Sequence, residues 1–234
     1  METRISFWHR VLNLISPQAC VICGCRLGIS EEVVCTACNL ALPRTGFAQH
    51  PYDNEMARRF YARLPIERAS ALFFYEAGSE ASRIIHALKY FHHPEIGQVM
   101  GRMAAEEMMP YHFFDGIALI VPVPLARKRQ RQRGYNQSEE IAKGVSAVTG
   151  IGIDTGIVRR RHFEDSQTHK TQAQRLDNVE NAFEAVDATR AAGRHLLLID
   201  DIVTTGATIW ACSRPICEAA SCRISVLSLG VVRA

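Results

Sequence analysis

The sequence has no apolar run close to the ~18 residues of a membrane-spanning helix, which excludes membrane insertion of that kind. It also lacks any strong excess of one charge. Lys and Arg number 27 against 24 Asp and Glu, and the resulting +3 is too small to imply nucleic-acid binding by itself. The opening Met1-Glu2-Thr3-Arg4 carries an acid, and no small-residue cleavage site follows a clean apolar core, so no secretory signal is expected and the cytoplasm is the expected location. Internal repeats and low-complexity tracts are missing apart from two short cysteine pairs. With 47% apolar and 22% charged residues, disordered and fibrous classes are excluded. A chain of 234 residues holds one full α/β core plus a small accessory module, and is too short for two ordinary large domains.

Cysteine, by contrast, is crowded. Five of the eight cysteines lie between Cys20 and Cys38, and without an export signal this reads as metal binding rather than disulfides. Cys20-Val21-Ile22-Cys23 and Cys35-Thr36-Ala37-Cys38 are two Cys-x2-Cys elements. Each pair makes a tight turn and the spacer brings the turns face to face, so four thiolates can close a tetrahedron around Zn²⁺. Gly24 supports the first turn by allowing positive φ. The alternative is four unliganded buried or redox thiols, and Cys25 is a fifth candidate that either replaces Cys23 or is spare. A site closed by Cys20, Cys23, Cys35 and Cys38 has no open position, which makes the zinc structural. Cys212, Cys217 and Cys222 have no metal-like spacing and are expected as small core residues. His86, His92 and His93 have no carboxylate or cysteine to complete a metal set and are expected at the surface or hydrogen-bonded.

Arg4 to Ile15 places Ile5, Trp8, Val11, Leu12 and Ile15 near helical spacing and predicts a short amphipathic helix. Pro43, Gly46, Pro51, Asp53-Asn54 and Pro65 punctuate a linking arm, with a helix expected over Asn54 to Leu64. The expected division is therefore 1–65, a zinc module and arm, and 66–234, a larger domain. In the latter, strands are predicted at Ala69–Tyr75, Gly116–Val123, Gly156–Arg160, His195–Asp200 and Ile224–Val232. Helices are predicted at Glu80–Tyr90, Glu95–Met109, Ser138–Val148, the last opened by a degraded capping box, and Ala207–Ala219. That alternation implies an α/β fold, a mostly parallel sheet flanked by helices, with ligands at the carboxyl ends of its strands.

The strongest chemical signal runs from His195 to Thr208: three leucines and an isoleucine in a buried strand, Asp200-Asp201, then Ile202-Val203-Thr204-Thr205-Gly206-Ala207-Thr208 leading into a helix. Successive N–H groups at the helix N-terminus and the threonine hydroxyls suit a phosphate monoester. The aspartates cannot bind that phosphate. They suit neighbouring sugar hydroxyls, directly or through Mg²⁺, and the combination describes a site for ribose 5-phosphate. The bland reading is a capped helix after a strand whose acids are merely solvated, although a cap needs neither acid.

This loop resembles that of the type I phosphoribosyltransferases, which bind phosphoribosyl pyrophosphate (PRPP). Together with Val121-Pro122-Val123-Pro124-Leu125, Arg133-Gly134-Tyr135-Asn136-Gln137-Ser138, Gln167, Arg175, Asn178, Phe183, Leu88-Lys89-Tyr90 and the cysteine pairs, the chain from Cys20 onward resembles the ComF family. The resemblance implies a zinc module joined to a phosphoribosyltransferase-like domain and a link to DNA uptake in natural competence. It gives Thr204, Thr205, Gly206, Ala207 and Thr208 the 5-phosphate, Asp200 and Asp201 the ribose hydroxyls, and Pro124 and Leu125 the pyrophosphate. Arg133, Asn136 and Gln137 fall in what looks like a mobile loop over the substrate, and Asp200, Asp201 and Arg133 stand as the catalytic candidates. Two departures are local: Pro215 should kink the helix after the phosphate loop, and Ala220-Ser221 stands where a glycine turn is usual.

Arg127 to Arg133 holds five basic residues in seven, and Arg159-Arg160-Arg161 adds a second cluster. Both read equally as solvated segments and as contacts to pyrophosphate or a nucleic-acid backbone. Thr204 stands where the 6-oxopurine salvage enzymes carry a general-base aspartate, which argues against that substrate, and no base-recognition segment is evident. Three functions follow from different classes: Mg²⁺-dependent phosphoribosyl transfer to an unknown acceptor, handling of incoming single-stranded DNA with the PRPP site used for sensing, and a zinc-organised adaptor docked on a DNA-translocating competence protein. The intact acid and threonine loop disfavours a purely inert adaptor.

Overall fold

In the computed structural model, residues 18–61, 64, 66–90, 92–161 and 182–233 are described. The expected helix at Arg4–Ile15 and the residues Gln167, Arg175 and Asn178 lie outside them.

The cysteine module opens with a bridge between Ala19 and Arg26 and closes with helix α1 (Thr36–Ala41). Asn54 then caps α2 (Glu55–Arg58), its Oδ1 accepting from the N–H groups of Met56 and Ala57 at 3.0 and 2.9 Å. The helix expected over Asn54–Leu64 is thus a single turn. The larger domain runs β1 (Ile66–Phe74), α3 (Ser82–Tyr90), α4 (Pro94–Met108), β2 (Leu119–Pro122), α5 (Arg127–Arg133) and α6 (Gln137–Thr149). It continues through β3 (Val158–Arg160), β4 (Phe183–Ala185), β5 (His195–Val203), α7 (Ala207–Ala219) and β6 (Arg223–Val231).

Four of these strands form a sheet in the order β1-β6-β5-β2, with every neighbouring pair parallel. A parallel sheet needs cover on both faces, and the side chains alternate accordingly. Leu197, Ile199, Leu227 and Leu229 join α3, α4 and α6 in one apolar cluster, while Leu196, Leu198, Ile224 and Val226 face α2 and α7 in another. The first cluster takes in Cys20, Ile22, Leu27, Val33, Val34 and Leu42, so the cysteine module shares its apolar packing with α3 and α4.

Four expectations change. The predicted strand at Gly156–Arg160 stays out of the main sheet; it shortens to β3 and pairs antiparallel with β4, which places Arg160 opposite Phe183. The basic run is a helix rather than a loop, because Arg, Lys and Gln all favour helix and Gly134, at φ 81°, supplies the left-handed cap that ends it. Helix α6 begins one residue early, capped by Asn136 rather than by a Ser138 box. Cys212 is buried, whereas Cys217 and Cys222 are only partly so. Helix α7 continues through Pro215 to Ala219.

Candidate functional site

Two centres are built by this fold, and the first is the cysteine cluster. The sulfur atoms of Cys20, Cys23, Cys35 and Cys38 all lie within 4.8 Å of one another, and Cys25 is not in the set. Zn–S bonds of about 2.3 Å imply sulfur pairs roughly 3.8 Å apart in a tetrahedron. Cys23 and Cys35 are 3.8 Å apart. The backbone already favours negative sulfur here: the Cys35 N–H points at the Cys20 sulfur (3.3 Å) and that of Cys38 at the Cys35 sulfur (3.5 Å). Gly24, at φ 75°, donates to the Cys20 carbonyl and turns the first knuckle. The donor set fits a closed, structural zinc.

The second centre lies at the carboxyl edge of the sheet. Strand β5 does not stop before the acids; Asp200 pairs with Ser228 of β6, and the ladder continues to Val203 opposite Val231. Strand β2 ends alongside, with the Val123 N–H donating to the Ile199 carbonyl at 2.9 Å, so Pro124 and Leu125 leave the sheet next to Asp200. The Asn136 side-chain amide donates to the Val123 carbonyl at 3.0 Å and ties the start of α6 to the same edge. Ser138 Oγ then reaches Asp200 Oδ1 at 3.1 Å, and the Asp201 N–H donates to that same oxygen at 2.9 Å.

The two acids differ in environment. Asp201 carries an ion pair with Lys89 Nζ at 2.9 Å, from the last turn of α3. Asp200 makes no ion pair among the described residues. Burial of its carboxyl, followed by the charge of Asp201, pushes its pKa up to about 7, against the smaller pull of its hydrogen bonds and of Lys89. Arg160 stacks on the Phe183 ring 5.1 Å from its centroid and faces both Asp200 and Arg129; burial, then the charge of Arg129, draws its own pKa down.

Beyond β5, Thr204, Thr205 and Thr208 are exposed and Gly206 is buried. Gly206 adopts φ 81° at the head of α7, where no side chain caps the helix; Thr205 Oγ1 only approaches the Ala207 N–H, at 3.4 Å. The first turn therefore holds amides that no intrahelical carbonyl accepts, an arrangement that could take an anion. Sequence reasoning missed what supports it. Arg59 donates to the carbonyls of Thr204 and Val232, and Phe60 packs where a Gly206 side chain would begin, 2.6 Å from an ideal Cβ. Nothing in the linking arm signals that role.

Arg133 turns its guanidinium to Gln137 Oε1 (2.8 Å) and over the Tyr90 ring (5.7 Å), while its carbonyl meets His92 Nδ1 at 2.9 Å. The Gln137 side-chain amide nitrogen is buried without a partner among the described residues. Tyr135 OH donates to the Leu88 carbonyl at 2.5 Å, which binds the Arg133–Gln137 segment to the end of α3. His93 pairs with Glu95 at 2.5 Å and His86 lies against Tyr90, so these histidines are hydrogen-bonded or stacked as expected. A cavity of about 1200 Å³ between the cysteine module and α3 is lined by Val21, Val33, Ile85, Tyr90, Arg83 and Lys89. No helix among the described residues is long and apolar enough to cross a membrane.

No family model matches the chain. Curated relatives do. "DNA utilization protein YhgH" of Salmonella typhimurium is 28% identical over 207 residues, covering 84% of this chain and 89% of that protein. "Competence protein F" of Haemophilus influenzae is 36% identical over 91 residues, 38% of this chain and 40% of its own. "Competence protein ComFC" of Bacillus subtilis is 29% identical over 100 residues, 43% and 38% of the two chains. Among solved structures, the glutamine PRPP amidotransferase of B. subtilis aligns with a TM-score of 0.43 and 20% identity, over 61% of this chain and 30% of that one. The adenine phosphoribosyltransferase of Thermoanaerobacter pseudethanolicus aligns with a TM-score of 0.34 and 15% identity, over 58% and 80%. These two alignments are too loose to carry an argument. The sequence relatives, one of them matched along most of its length and two bearing competence-protein names, support the reading of the chain as a ComF family protein.

Proposed function

We propose that the carboxyl edge of the sheet binds PRPP with Mg²⁺ and that the chain transfers the phosphoribosyl group to an acceptor, in the cytoplasm and in the service of DNA uptake. The observation that carries this reading is the sequence of groups along one edge: a half-buried acid, a second acid held by a lysine, and directly after them an uncapped helix N-terminus flanked by three exposed threonines. A solvated strand end needs none of these.

In this reading the N–H groups from Thr204 to Thr208 take the 5-phosphate, and the carboxylates of Asp200 and Asp201 accept from the ribose hydroxyls or hold the metal. Magnesium supplies charge neutralisation for the departing pyrophosphate. Ser138 fixes the Asp200 carboxyl, so that oxygen is oriented before ligand arrives. Lys89 neutralises Asp201 until the ribose takes its place, which leaves the ammonium free to move toward the pyrophosphate near Pro124 and Leu125. Arg133, Asn136 and Gln137 close the same edge from the α5–α6 side.

Asp201→Asn tests the assignment, because it removes charge without changing shape. We expect it to weaken PRPP binding by about 1–3 kcal/mol and to leave inorganic phosphate almost unaffected. A bulky residue at Thr205 should abolish binding of both PRPP and ribose 5-phosphate. Calorimetry with Mg²⁺ present decides the matter; equal PRPP affinity in all three proteins would remove the phosphoribosyl reading.

The second reading, single-stranded DNA handling without turnover beside a DNA-translocating partner, draws on one observation: α5 exposes Arg127, Lys128, Arg129 and Arg131 on the rim of the same site. It expects weak, sequence-tolerant binding of single strands that falls steeply with salt. Binding of DNA without pyrophosphate release against any acceptor would favour it.

A further inference from the structure

Cys217 and Cys222 have no part in the zinc cluster or in the carboxyl-edge site. Cys217 lies near the end of α7, ten residues and about 15 Å along the helix from Ala207 beside the phosphate loop. Cys222 immediately precedes β6. Their sulfur atoms are 3.9 Å apart, and both residues are partly exposed, whereas Cys212 in the same helix is fully buried.

The backbone on either side is pinned. The Ala220 N–H donates to the Ile216 carbonyl at 2.9 Å, the Ser221 carbonyl accepts from Gly193 at 2.7 Å, and the Arg223 N–H donates to the Arg194 carbonyl at 2.9 Å. The sulfurs are therefore held as neighbours by a fixed turn. Closing the remaining gap to a bonded pair moves them by about 2 Å, which side-chain rotation can supply.

We propose that Cys217 and Cys222 form a reversible dithiol–disulfide site that reacts with low-molecular-weight disulfides of the glutathione type. The two thiols are unlike: the hydrogen bond between them draws the Cys222 thiol down and pushes that of Cys217 up, which makes Cys222 the first nucleophile. The Cys222 thiolate attacks one sulfur of the small disulfide, forming a mixed disulfide and releasing one thiolate. Cys217 then gives up its proton and attacks the Cys222 sulfur, expelling the second thiolate. The net change is two protein thiols oxidised to one disulfide and one small disulfide reduced to two thiols.

The test uses the full-length, zinc-loaded protein, equilibrated with mixtures of oxidised and reduced glutathione, then denatured and treated with a thiol-blocking alkylator. Trypsin yields a peptide spanning 195–223 that contains Cys212, Cys217 and Cys222. We expect three blocking groups on it after reducing mixtures and one after oxidising mixtures, with zinc content unchanged. The bridge should persist in Cys212→Ser and be absent from Cys217→Ser and Cys222→Ser. Three blocking groups under all mixtures, glutathione adducts in place of an internal bridge, or a bridge that survives in Cys217→Ser would each overturn the proposal.

Discussion

Asp200 and Asp201 are adjacent in sequence yet hold their charge on opposite terms. Asp201 is neutralised by Lys89, and Asp200, whose pKa rises to about 7, titrates near neutrality. The consequence for stability follows from its sign. Unfolded, Asp200 loses its proton in the ordinary carboxylate range; folded, it keeps the proton to about pH 7. Between those limits the folded state binds more protons, so stability declines as pH rises. Asp200→Asn removes that slope, and we expect it to be more stable than the wild type at pH 8 by about 1–3 kcal/mol and equal to it near pH 4. Denaturant titrations at the two pH values check this, and wild-type PRPP affinity should in parallel increase from pH 6 to pH 8 as the carboxylate forms. The acid pair and the threonines were legible from composition alone, since paired acids next to a glycine turn have few other uses. Lys89 was visible only as part of Leu88-Lys89-Tyr90, because a partner more than a hundred positions away leaves no mark in local pattern.

Helices α4 and α6 approach until backbone meets backbone. A Cβ at Gly101 would stand 2.2 Å from the Ile141 carbonyl oxygen, and one at Gly144 would stand 2.1 Å from that of Gln98. Neither contact can yield without separating the helices, so Gly144→Ala should cost at least about 1–3 kcal/mol, read as a fall of several degrees in Tm. Because α6 carries Asn136 and Ser138 at its start, the same variant should also weaken PRPP binding. Long periodic elements such as α4, α7 and the β5 strand were readable to within a few residues, since their apolar spacing repeats over several turns or a full ladder. The strand at Val158–Arg160 was readable as extended but not as a partner of Phe183–Ala185, because three residues carry no periodic signal of direction. Helix α5 was missed for a different reason: with all charges exposed except part of Arg133, it has no apolar stripe to announce it.

The division of the chain into a module and a domain rested on proline punctuation and on the cysteines. Packing joins the pieces, for Ile22, Leu27, Val33 and Leu42 lie in one cluster with Ile84, Leu88, Met100 and Met108. We therefore expect Cys35→Ser to release the metal and to lower a single thermal transition, rather than to melt a small module separately from an unaffected sheet. Metal analysis should give one zinc per wild-type chain and none in the variant; a second, separate transition would show that the shared cluster is too weak to couple them.

The order β1-β6-β5-β2 has a consequence for how the chain is made. Among the described residues β1 has β6 as its one strand neighbour, its other edge carrying only a short antiparallel bridge from Arg44 to Phe73, and Ile66 meets Ile224 across more than 150 residues of chain. On the ribosome, the apolar strand at 66–74 emerges well before 223–231, and its longer pairing edge waits unfilled until β6 has left the exit tunnel. Nascent chains arrested before residue 223 should consequently bind holdase chaperones and fall to proteases, and release of β6, rather than completion of the cysteine cluster, should be the moment at which they become resistant.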